Sequence, residues 1–103
     1  MAGSTADTRR YFDHNQVDIQ TAGTRKRIMR LAGGGVLTIR AHTGNSGDVY
    51  VGNEGVNSSN GFILGPGESI EIRFEPCRDR NEFLDVNVDV ATSGDDISSI
   101  YLA

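Results

Sequence analysis

Few residues of this 103-residue chain carry groups suited to acid–base or nucleophilic chemistry, and their spacing does not gather them. His14 lies in a polar N-terminal stretch, and His42 falls at an outward position of a strand pattern. A nucleophile–base–acid set needs an oriented histidine in a shaped pocket. No serine occupies a Gly-x-Ser-x-Gly elbow. Ala32-Gly33-Gly34-Gly35 lacks the Lys-Ser/Thr pair and the helix that a phosphate loop requires. Cys77 has Arg73, Arg78 and Arg80 nearby, cations that would lower a thiol pKa, but no histidine is close, so it reads as an inert loop cysteine. Asp95-Asp96, with Asp85 or Asp89, offers oxygens to a hard cation. They lack the Asp-x-Asp-x-Asp-Gly spacing, and aspartates in a turn ordinarily bond backbone instead. Asn57-Ser58-Ser59 matches a glycosylation sequon, a short pattern common by chance. The expectation is a protein that is not an enzyme and uses no cofactor and no metal.

Charge points to binding rather than turnover. The net charge is −4, but residues 1–40 hold seven basic side chains against three acidic, and residues 41–103 hold three against eleven. The basic half centres on Arg25-Lys26-Arg27-Ile28-Met29-Arg30. Read as a strand, this run sets Arg25 and Arg27 on one face, Lys26 and Arg30 on the other. A nucleic-acid binder wants an overall basic domain with stacking aromatics. Here the pI is about 5.0, and the aromatics lie elsewhere. The partner expected is an acidic protein surface, not nucleic acid.

The elements that must position these groups are strands. No stretch approaches the roughly 18 apolar residues of a membrane span, so no membrane partner is expected, and Met1–Asp7 lacks the basic start and apolar centre of a signal peptide. One cysteine allows no internal disulfide. A chain of 11.1 kDa buries roughly 65% of its unfolded surface, enough for one core without a large cavity. Thirteen glycines and no tryptophan suit many short strands joined by turns. Apolar residues alternate over 36–42, 48–52, 69–74 and 83–91, with weaker patterns over 16–22, 25–31, 62–64 and 97–102. Helical spacing is not sustained over three turns anywhere. The fold expected is all-β, a seven- to eight-stranded antiparallel β-sandwich of jelly-roll or Ig-like type over residues 16–103. Residues 1–15, whose large apolar side chains are Tyr11 and Phe12, read as an extended N-terminal arm.

One segment carries a resemblance. Val49-Tyr50-Val51-Gly52 is followed by a polar loop with a single Val56, then Ser58-x-x-Gly61, Phe62, Leu64 and Pro66-Gly67-Glu68-Ser69 ahead of a strand. The later strand 86–91, the turn 92–96 and the ending Ile100-Tyr101-Leu102 continue the pattern. Over about residues 36–103 the chain resembles small β-sandwich virion proteins of tailed phages. The resemblance implies a structural virion protein, of capsid decoration or turret type, located in the virion. Its partners would be further copies of itself, as a trimer, pentamer or hexamer, and the major capsid protein or another virion protein. The alternatives are a head–tail connector, a tail or baseplate accessory protein, or a host-surface module binding glycan or protein through loops 43–47 and 53–60. Partner-binding residues expected in the N-terminal region are Tyr11, Phe12, Arg25, Arg27 and Arg30. Gly52 and Gly61 read as positions of unusual dihedral angle, Val56 as a plug at the sandwich end, and Pro66-Gly67 as a type II turn.

Overall fold

The computed structural model describes residues 12–31, 34–75 and 84–102, which form eight strands and no helix. In chain order they are β1 (Phe12–Asp18), β2 (Lys26–Leu31), β3 (Gly35–Ala41), β4 (Val49–Gly52), β5 (Phe62–Leu64), β6 (Ser69–Phe74), β7 (Leu84–Val90) and β8 (Asp96–Leu102). All pairs are antiparallel. They build two four-stranded sheets, ordered β1-β8-β3-β6 and β2-β7-β4-β5. Every connection except β4–β5 passes from one sheet to the other. That is a jelly roll, whose crossings distinguish it from the Ig-like alternative.

Period-two alternation decides which side chains meet between the sheets. On the first sheet, Leu37 pairs with Ile72 and Tyr101, Ile39 with Ile70 and Ser99, and Ala41 with Ile97. On the second, Val49 pairs with Leu64 and Val90, and Val51 with Val88. Leu37, Ile39, Ala41, Val49, Val88 and Ile97 are fully buried there. Burying each such side chain contributes about 1.5–3 kcal/mol. Ile19 closes one end of this slot from the turn after β1. At the other end, Tyr101 donates its hydroxyl to the Gly34 carbonyl and stacks on Phe74, ring centres 6.2 Å apart.

Three readings of the sequence change. Residues 12–15, expected in the arm, are the first part of β1 and pair with residues 99–102 of β8. The alternation there is faint because β1 is an edge strand whose inward positions include Asp13 and Asn15. Asn87 and Asp89 alternate with Val86, Val88 and Val90 as expected, yet both are buried. The turn before β2 reaches over Asp89, whose Oδ1 accepts from the Gly23 N–H at 2.9 Å. Gly52 and Gly61 do not have positive φ. They are glycines for space: a Cβ on Gly61 would stand 2.6 Å from Tyr50 Cβ and 2.9 Å from Val56 Cγ2. Val56 is buried and packs on these two glycines. Pro66-Gly67 is the expected turn, with Gly67 at φ +84° and Glu68 N–H donating to the Gly65 carbonyl.

Asp95 joins two loops that the crossing topology brings together. Its carboxylate is buried and accepts from the N–H groups of Ser46, at 3.1 Å, and Gly47, at 3.0 Å. Beside it, Asn45 donates to the Asp96 carbonyl and accepts from the Asp96 N–H. Replacing Asp95 with Ala leaves two amides without their acceptor, and we expect a loss of about 1–3 kcal/mol. A urea unfolding midpoint equal to that of the unaltered chain would contradict this role.

Candidate functional site

β2 follows β1 across the same narrow side of the sandwich, where each is the edge strand of its sheet. Most of the sequence-predicted binding residues fall here. Phe12 opens β1 opposite Leu102. Arg25 directly precedes β2, and Arg25, Lys26 and Arg27 are all exposed. Tyr11 lies outside the described residues, as do Cys77, Arg78 and Arg80.

A bulge changes the faces of β2. Arg27 is opposite Asn87 and Met29 is opposite Val86, so Ile28 is an extra residue. Beyond it the alternation is reset. Arg30, expected to share a face with Lys26, instead joins Arg27 on the outer side, opposite Asp85. Its guanidinium grips that carboxylate at both oxygens, Nε to Oδ1 at 2.8 Å and Nη2 to Oδ2 at 3.0 Å. The exposed basic residues are therefore Arg25, Lys26, Arg27 and Arg30, and Arg30 also braces β2 against β7.

The remaining chemistry-bearing groups are committed to loop structure. His42 Nδ1 accepts from the Gly44 N–H at 3.1 Å, and the shallow hollow beside it is lined by Gln16, Arg40, Thr43 and Ser98. Both oxygens of Asp95 serve backbone amides, those of a neighbouring loop rather than of its own turn. In the β4–β5 loop, Asn53 accepts from Gly55 N–H, Asn57 from Ser59 N–H and Asn60 from Asn57 N–H, while Asn60 Nδ2 donates to the Gly55 carbonyl. The loop is thus bonded to itself. Loops 43–47 and 53–60 also lie at opposite ends of β4, about 13 Å apart along the strand, and form two surfaces rather than one. Buried Asn87, whose Nδ2 has no partner, is a feature that alternation alone could not reveal.

The Arg30–Asp85 pair has a pH signature. The hydrogen bonds from Arg30 hold the Asp85 carboxyl below its ordinary range, against a smaller upward push from desolvation, and the charges of Arg30 and Arg27 lower it further. A carboxyl lowered in the folded state stabilises the fold at pH above the ordinary carboxylate range. That contribution is lost as pH falls through this range to the lowered value. Arg30→Met should return the Asp85 titration, followed by carboxyl carbon NMR, toward that of a free aspartate. An unmoved midpoint would contradict the brace.

No family model matches the chain, and no curated protein matches it. Among solved structures it is similar to a de novo designed double-stranded β-helix determined by solution NMR, with a TM-score of 0.53 and 17% sequence identity over 90% of this chain and 99% of that one. At that identity the likeness concerns the fold alone, and it agrees with the jelly-roll crossings.

Proposed function

We propose that this chain is a structural protein of a virus particle, an oligomeric tile that docks on the viral shell through its N-terminal side. The observation that carries the reading is the exposed basic edge made by Arg25, Lys26 and Arg27, next to β1 on one side of a jelly roll. The architecture is one that viral capsid proteins use, as do lectins and cupins. The tailed-phage pattern over residues 49–70 favours the first of these. Its glycines, Gly52 and Gly61, have a physical reason in the seating of Val56.

Docking works through complementary charge. The bulge at Ile28 keeps β2 from offering a regular ladder to a stray strand. Its arginines remain on the surface, where they steer the tile toward an acidic patch. Tyr11 and Phe12, the large apolar side chains of the N-terminal stretch, would supply apolar contact. A connector or tail position would use the same surface, and the particle fraction in which the chain is found distinguishes them.

The test is the composition of gradient-purified particles from the source lysate, measured by quantitative mass spectrometry. The expected result is a fixed ratio of this chain to the major shell protein, with release at high salt. Arg25→Glu with Arg27→Glu should weaken rebinding to stripped particles roughly tenfold or more. Recovery only in the soluble fraction would overturn the proposal.

A further inference from the structure

A sandwich of two open sheets has four edges, and an unprotected edge is a template for another strand. Three edges here are blunted. β1 turns Asp13 and Asn15 inward, β2 is bulged and carries Lys26 among arginines, and β5 is three residues long. β6 has none of these devices. It is a regular six-residue strand, Ser-Ile-Glu-Ile-Arg-Phe, paired without a register break to β3.

The backbone direction along β6 is fixed by its hydrogen bonds. Ala41 N–H donates to the Glu68 carbonyl, and Gly67 N–H to the Ala41 carbonyl. Backbone groups alternate sides along a strand, so residues 70, 72 and 74 bond toward β3. Ser69, Glu71 and Arg73 therefore direct their N–H and C=O groups to the open edge. The inward side chains Ile70, Ile72 and Phe74 are only half-buried, although their neighbours Ile39 and Leu37 are 0% exposed. Phe62 and Ile63 on β5, the other edge of this side, are 57% and 55% exposed. Both the backbone ladder and the apolar face are unfinished here.

We propose that β6 is completed by β6 of a second copy, added antiparallel about a two-fold axis that passes beside Ile72. In this register Glu71 stands opposite Arg73 of the partner subunit, and Arg73 opposite the partner's Glu71. Ile72 meets the partner's Ile72, and Ile70 meets the partner's Phe74. The two residues that pair across the axis, Glu71 and Arg73, are those whose backbone groups face outward, so ladder bonds and charge pairs coincide. Both side chains are exposed and, among the described residues, pair with each other at 3.2 Å within one strand. Sliding the register by two residues sets Glu71 against Glu71 or Arg73 against Arg73. Sliding it by one opposes isoleucines to charges and misaligns the backbone donors. One register alone satisfies charge, apolar face and ladder, and the contact is self-complementary as a two-fold interface requires. The result is a continuous eight-stranded sheet and a dimer as the building unit, so that a larger assembly contains an even number of copies. The inference uses the side of the sandwich opposite the docking strands and goes beyond the docking reading.

Sedimentation and residue-resolved amide exchange on the full chain test it. The expected mass is near twice 11.1 kDa at tens of micromolar, with the amides of Ser69, Glu71 and Arg73 exchanging as slowly as those of Ile70 and Ile72. Glu71→Pro removes a donor that the single copy does not use, and should give a folded monomer in which the Ser69 and Arg73 amides exchange fast. Glu71→Arg opposes like charges twice about the axis and should weaken association roughly tenfold or more. Glu71→Arg with Arg73→Glu restores the pairs in swapped order and should recover it. A monomeric chain with fast-exchanging Glu71 and Arg73 amides overturns the proposal, as does a Glu71→Arg chain that associates like the original. A dimer through β6 that is absent from particles sinks the docking reading alone, and a particle-bound monomer sinks this one alone.

Discussion

The slot between the two sheets is the constraint from which the other features follow. Leu37, Ile39, Ala41 and Ile97 of one sheet and Val49, Val51, Val86, Val88 and Val90 of the other must share a layer about 10 Å thick. Most strands have one apolar face, and each sheet buries that face against the other. The jelly-roll path meets this by alternating sheets at almost every step, so that neighbouring segments are committed to opposite walls. The cost falls on the connections, which must be held without a disulfide. Asp95, Asn45 and the Pro66-Gly67 turn do this with backbone-directed hydrogen bonds.

Polar side chains here are mostly loop architecture. Asn53, Asn57 and Asn60 each satisfy an amide of their own loop. His42 holds the turn after β3. These side chains are occupied with their own backbone, and the sides of the sandwich end in strand edges. Those sides differ in character. One is bulged, basic and interrupted by inward polar groups, and the other is regular, half-apolar and balanced in charge.

Much of this fold was legible in the sequence because period-two patterning is a direct imprint of a two-walled core. The limits of β5 and β6 match the alternation to the residue, and the others shift by a residue or so at each end, apart from β1. β1 was misplaced because its inward positions at Asp13 and Asn15 carry no apolar signal. The burial of the outward positions Asn87 and Asp89 was not legible, since alternation records which wall a residue faces and not how far it is buried. The candidate site was legible as a basic cluster, but its face assignment failed at one inserted residue. A bulge leaves no mark in composition, and it turns Arg30 to the face of Arg27, beside a carboxylate on the neighbouring strand. Gly52 and Gly61 were recognised as special, while their reason, room for Val56, is a tertiary fact.

The pairing of Phe12 with Leu102 places the first and last described strands side by side. The path through the sandwich is thereby nearly a closed ring, and the order in which its strands are synthesised matters less than their adjacency. A short linker across that corner would permit circular permutation, with new ends opened in the self-bonded loop between β4 and β5. The start of β1 and the end of β8 therefore share one corner, at β1's side of the sandwich, far from the loop where the new ends would lie.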